Sequence, residues 1–131
     1  MKDTASGGEI SRIALAIEMV ISNLLKRQTL IFDEIDVGIS GRVAIQVAKK
    51  IGILSKSLQI LCITHLPQTA CIADKHYKIA KKVIDRHTFA EADLLNESQH
   101  LNAIALMISG TYDSASALES AREMEKSVKN G

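Results

Sequence analysis

The sequence predicts an α/β fold. Three features carry that expectation. Two short apolar runs, Leu30-Ile31-Phe32 and Ile60-Leu61-Cys62-Ile63, lack the polar alternation of a one-sided strand. Amphipathic segments precede and separate them. The resulting order is helix, strand, helix, strand. Strands apolar on both faces suit a parallel sheet covered on both sides, and their alternation with helices is the βαβ signature.

Each element follows from local pattern. Ile10, Ile13, Ala14, Ile17, Val20, Ile21 and Leu24 form one continuous face of an α-helix. Ser6-Gly7-Gly8-Glu9 opens that helix, and Lys26-Arg27 closes it, where positive charge suits the C-terminal dipole. Thr29 to Phe32 is a strand ending in Asp33-Glu34, and Val37 to Gly41 is a turn. Ser40 is placed to cap a second helix that carries Ala44, Val47, Ala48, Ile51 and Leu54 on one face. Gln59 to Thr64 reads as a second buried strand, ending at His65. Pro67 suits the first turn of a short helix through Ala73. His76 to about Arg86 reads as a strand or hairpin. Leu101, Ile104, Ala105 and Ile108 mark a helix over Glu97 to Ile108, with Gly110 as its stop. Asp113 or Ser114 would cap a last helix reaching about Val128, and Lys129-Asn130-Gly131 would be frayed.

Composition narrows the function classes. The chain has 131 residues, 47% of them hydrophobic, and a domain near this size buries roughly two-thirds of its unfolded surface. Sixteen Lys and Arg against fifteen Asp and Glu give a net charge of +1, which excludes a generally basic nucleic-acid coat or an acidic tail. Aromatic residues are 3% with no Trp, too few for a base-stacking surface. Two cysteines, Cys62 and Cys71, cannot build a disulfide framework, so a reducing cytosol is expected. The first residues lack a signal peptide's apolar run, and the apolar stretches are too short to span a membrane.

Three segments carry chemistry. Two carboxylates, Asp33 and Glu34, at the C-terminal end of a buried parallel strand would face the ligand crevice of an open sheet. There the first suits Mg²⁺, which takes hard oxygen ligands, and the second suits orienting and deprotonating a water. A strand ending in solvated acids is the plain alternative. Ser6 to Glu9 has the form of a capping box, and two glycines at a helix start also leave backbone N–H groups open to an anion. His65, at the end of the second strand, could reach a phosphate or a water. Cys62, His65, Cys71 and His76 suggest zinc. However, Cys62 and His65 are three apart on a strand and face opposite sides, so the cysteines read as small buried hydrophobes. Lys75, Lys78, Lys81, Lys82 and Arg86, diluted by Asp74 and Asp85, read as a solvated face.

In this order the segments resemble the second half of an ABC-type ATPase head, with signature motif, Walker B, D-loop and switch histidine. Within that superfamily the wording of Ala5 to Arg12, of Leu30 to Gly41 and of Cys62 to Gln68 is similar to the RecN family of bacterial DNA repair proteins, which are SMC-like. Met107-Ile108-Ser109-Gly110 and Ala117 to Arg122 resemble the end of that family. The resemblance implies a partial P-loop NTPase sheet with flanking helices, lacking the Walker A half and occupying residues 1–131. It implies ATP and Mg²⁺ as ligands. Ser6, Gly7 and Gly8 would meet the γ-phosphate held by an opposing head, with Glu9 in support. Asp33 would assist Mg²⁺, Glu34 would polarise the water, and His65 would sense the γ-phosphate. Val37 to Ser40 would be the D-loop, in which Ser40 stands where many ABC proteins carry Asp.

No G-x-x-x-x-G-K-[ST] motif occurs in the sequence, so the phosphate-cradling loop and its lysine are missing. The resemblance therefore reads as a C-terminal portion of a cytoplasmic, nucleoid-associated protein. Its partners would be the N-terminal Walker A half, a second head in a homodimer and, through the full-length protein, DNA, with no membrane. Alone it would hydrolyse ATP negligibly, be poorly soluble or oligomeric, and bind DNA weakly. The rival readings are a non-catalytic fragment that docks on a full-length partner and a head lobe of another SMC-like ATPase, against which the Asp36 to Gly41 wording argues.

Overall fold

The computed structural model describes residues 7–21, 29–33, 35–84, 86–110 and 115–129. Ser6, Lys26-Arg27, Glu34, Asp113, Ser114 and the terminal Asn130-Gly131, all assigned parts above, lie outside them. The order is α1 (Gly7–Ile21), β1 (Thr29–Asp33), α2 (Gly41–Leu54), β2 (Gln59–Ile63), α3 (Pro67–Ala70), β3 (Tyr77–Ile84), β4 (His87–Leu94), α4 (Glu97–Ser109) and α5 (Ala115–Lys129).

The two apolar runs pair in parallel, with Leu30 opposite Ile60, Phe32 opposite Cys62 and Asp33 opposite Ile63. One face of this pair is covered. Leu30 and Phe32 are buried with Ile51, Leu54, Leu58 and Leu15, and Ile60, Cys62, Val47 and Met19 pack against them. The expected burial of both faces fails on the other side, where Ile31, Leu61 and Ile63 are 68%, 49% and 59% exposed. Among the described residues no helix lies over that face, so apolar side chains chosen for an interior meet solvent. The same holds for α1. It packs through Leu15 and Met19, while Ile10, Ile13, Ile17 and Val20, the stripe that marks the helix in the sequence, are more than half exposed.

α2 is where the halves of the structure join. Its Ala44, Ala48, Ile51 and Leu54 are buried. Ile51 and Leu54 face the sheet, and Ala48 enters a second cluster with Ala70, Cys71, Ile104, Ala105, Ala117, Ala121 and Val128. The small residues let α2, α3, α4 and α5 approach closely. Ser40 is the N-cap of α2, but its side chain makes no capping hydrogen bond, so its position was legible and its capping role was not. Pro67 opens α3 as expected, although the helix ends at Ala70. α4 is better capped. Asn96 and Gln99 form a reciprocal capping box, and Gly110 closes the helix at φ 71°, the left-handed conformation that glycine adopts without strain. Lys129 is the last residue of α5 rather than part of a frayed end.

β3 and β4 form an antiparallel hairpin, and Arg86 in its turn takes φ 64°, as tight hairpin turns require. Its basic residues are solvated. Lys78 stands opposite Asp93, and Lys82 pairs with Glu91, which raises the Lys82 pKa. β2 pairs with β1. Along its other edge runs a cleft of about 1480 Å³, walled by Leu61, Ile63, Tyr77, Ile79, Leu106 and Met107 among others.

The hairpin is tied to the helices by two imidazoles. Nδ1 of His76 and Nδ1 of His100 lie 2.9 Å apart, with the rings edge to face. Burial lowers the His76 pKa and the nearby His100 lowers it further; burial also lowers that of His100, against the pull of Glu125. In the unfolded chain both rings regain the ordinary value of 6.5 and bind protons first as pH falls. Stability is therefore full above about pH 6.5 and declines as the pH drops through that value toward the lowered folded values. A thermal melt followed by circular dichroism should show a lower midpoint at pH 5.5 than at pH 7.5, and His100→Asn should flatten that slope. An unchanged midpoint would contradict the assignment.

The open sheet face makes a second expectation. Ile31→Lys with Leu61→Lys should reduce self-association in light scattering while leaving the helical signal intact, because both side chains already face solvent. Unchanged association would place the sticky surface elsewhere.

Candidate functional site

In-register pairing brings the ends of β1 and β2 to one rim. Asp33 ends β1 with its side chain exposed. His65 follows β2 by two residues, with 64% of its side chain exposed. Between them, the turn after β1 buries Ile35 and Asp36 completely. The Thr64 hydroxyl donates to Asp36 Oδ2 and accepts from the Leu66 N–H at 3.0 Å. His65 Nδ1 lies 3.7 Å from Asp36 Oδ1.

α1 is fastened to the same turn. Arg12 Nη1 donates to the carbonyl of Val37 at 2.9 Å and to that of Ile35 at 3.4 Å. The helix that begins at Gly7 therefore cannot shift without disturbing the loop beside Asp33. Gly7, Gly8 and Glu9 form the first turn of α1, where an acid suits the helix dipole. Beyond the turn, Gly38 takes φ 75° and Gly41 takes φ 54°, which lets the chain reverse into α2 with Ser40 exposed between them.

The structure thus puts Asp33 and His65 at the same end of the strand pair, Gly7, Gly8 and Glu9 on α1, and Ser40 at the N-cap of α2. Ser6 and Glu34 fall outside the described residues. Sequence reasoning assigned no part to Asp36 or Arg12. A signal existed for the first: Asp36 is a charged residue between Ile35 and Val37, an apolar setting that a solvated turn does not need.

Neither cysteine belongs to this rim chemically. Cys62 lies under the sheet, and burial, with smaller contributions from Asp36 and Asp33, raises its pKa to about 12. Burial raises that of Cys71 to about 11, Glu125 adding to the effect. Among the described residues no three His, Cys, Asp or Glu side chains converge as a metal cluster, and no helix is long and apolar enough to cross a membrane.

No family model matches the chain. Whole-sequence comparison is decisive instead. The DNA repair protein RecN of Haemophilus influenzae is 42% identical over 120 residues, 92% of this chain and 22% of that protein. RecN of Bacillus subtilis is 41% identical over 126 residues, 96% of this chain and 22% of its own length. RecN of Deinococcus radiodurans is 43% identical over 124 residues, 95% and 22%. Over nearly all of its residues the chain is similar to the RecN proteins. It spans about a fifth of the length of the RecN relatives it matches.

The fold agrees. An Smc head domain with a coiled coil and joint from Pyrococcus yayanosii superposes with a TM-score of 0.57 at 25% identity, covering 78% of this chain and 19% of that one. A structure described under ATP-driven dimerization and DNA-stimulated activation of SMC ATPases gives a TM-score of 0.55 at 24% identity, covering 84% of this chain and 65% of that one. The chain therefore has the α/β architecture of part of an SMC-type head domain.

Arg12→Ala should loosen the turn without unfolding the sheet. Amide exchange at residues 35–39 should quicken by roughly fivefold, in line with about 1 kcal/mol for the lost hydrogen bonding, while β1 and β2 keep their protection. Equal quickening throughout would mean that Arg12 supports the whole fold instead.

Proposed function

We propose that this chain is one lobe of an ATP-hydrolysing head. Completed by a lobe that carries a Walker A motif, and paired with a second head, it couples ATP binding to head association during recombinational repair of DNA double-strand breaks. The observation that carries this reading is the shared rim: a parallel strand pair delivers Asp33 and His65 to one end of the sheet, where open α/β sheets bind their ligands. The names of the RecN relatives and the described behaviour of the SMC ATPases support it.

The chemistry is phosphoryl transfer from ATP to water, achieved by positioning and electrostatics more than by covalent steps. Asp33 offers an exposed carboxylate at a strand end, a hard oxygen donor of the kind Mg²⁺ takes directly or through water. When bound, Mg²⁺ would neutralise charge on the phosphates. Glu34 acts as general base toward the attacking water. His65, on an exposed ring beside Asp33, meets the γ-phosphate. Ser6 with the N–H groups of Gly7 and Gly8 serves the γ-phosphate of the opposing head, supported by Glu9, and Ser40 with its loop runs along the seam between heads. DNA is engaged through the full-length protein, since a net charge of +1 gives this portion little electrostatic attraction for phosphate.

The free edge of β2, the cleft beside it and the uncovered Ile31, Leu61 and Ile63 support a requirement for a second lobe. Co-expression with a RecN segment carrying the Walker A motif should yield a stable complex with Mg²⁺-dependent ATPase activity. Glu34→Gln should lower kcat by at least about 10²-fold, the range of a lost general base. Equal turnover by the isolated 131 residues, or by the Glu34→Gln complex, would overturn the reading.

A further inference from the structure

The carboxylate of Asp36 is completely buried, yet only half of it is hydrogen-bonded. Oδ2 accepts the proton of Thr64 Oγ1. That hydroxyl also accepts from the Leu66 N–H, and Asp36 is a nearer acceptor for its single proton than the Leu66 carbonyl at 3.5 Å. Oδ1 has no hydrogen-bond partner among the described residues. A buried carboxylate oxygen without a donor is costly, because it has left water and gained nothing in exchange.

Two basic groups stand near. Arg12 directs Nη1 to the carbonyls of Ile35 and Val37, the residues on either side of Asp36. The other is His65, whose Nδ1 is 3.7 Å from Oδ1, just beyond hydrogen-bonding distance. The His65 ring is largely exposed, so a small rotation is unobstructed by core packing and would bring Nδ1–H onto the unpaired oxygen. The backbone favours that approach, since the Leu66 N–H bond to Thr64 Oγ1 bends the chain around His65 itself.

We propose that Asp36 is a positioning residue: its buried carboxylate, braced by Thr64, holds the His65 ring with Nδ1 inward and Nε2 presented at the rim beside Asp33. In a histidine oriented by a carboxylate, the bond made by one ring nitrogen sets which tautomer the other presents. The task given to Nε2, meeting the γ-phosphate, rests on the reading in the preceding section; the hold on the ring does not.

The test reads the tautomer directly. Long-range ¹H–¹⁵N correlation spectra of the histidine side chains in the full chain at pH 8 should show His65 in the Nδ1–H form. Asp36→Asn should shift it toward the Nε2–H form that an unconstrained imidazole favours, with His76, His87 and His100 unchanged. Should Asp36→Asn fail to fold, the unsubstituted chain still decides: His65 in the Nε2–H form overturns the proposal, as does a tautomer indifferent to Asp36→Asn. In the complex with the Walker A lobe, Asp36→Asn should lower kcat about tenfold or more with KM little changed. A complex without turnover, alongside the expected tautomers, would sink the nucleotide reading and leave the positioning intact. Full turnover in Asp36→Asn with an unresponsive ring would sink the positioning alone.

Discussion

Pairing of Phe32 with Cys62 and of Asp33 with Ile63 ends two parallel strands at the same level, and the rest of the molecule is arranged around that coincidence. Because β1 and β2 run in the same direction, α2 must carry the chain back between them. Because side chains alternate, Leu30, Phe32, Ile60 and Cys62 turn toward α2 together. A slip of β1 by one residue would send Ile31 into the core and turn Leu30 and Phe32 outward. Register thus sets both the hydrophobic contact and the convergence of Asp33, Asp36, Thr64 and His65.

α2 transmits this order to the second half of the molecule. One side of the helix is bulky and meets the sheet; the other is small and lets α3, α4 and α5 close in. The helical half has well-formed ends, with the Asn96–Gln99 box and Gly110 bounding α4. The sheet half is the less finished one, with an open face, a free edge and an exposed α1 stripe. Stability and incompleteness are therefore divided: the helical part closes on itself, and the part that presents the rim is open to partners.

Much of this was legible in the sequence where periodicity or a rigid residue spoke. The face Ala44, Val47, Ala48, Ile51 and Leu54 gave α2, Pro67 gave the start of α3, and Gly110 gave the end of α4. The rim was legible because acids and a histidine ended two unalternating apolar runs. Burial was less so. Apolar pattern states that a face needs a partner, not that the partner lies in the same chain, and so the stripe of α1 and the outer face of β1 and β2 stand exposed. The parts played by Asp36 and Arg12 were not legible because they depend on contacts across 28 and 25 positions of sequence, which no local pattern encodes. Ser40 shows the converse: its type and place fit a cap, yet its side chain makes no capping hydrogen bond.

The sulfurs of Cys62 and Cys71 carry a last consequence. With pKa values near 12 and 11, both stay as neutral thiols at any physiological acidity, and only the thiolate attacks peroxides or alkylating agents efficiently. While folded, burial disfavours the thiolate at both positions. Labelling of the fully buried Cys71 would report the opening of the layer above it.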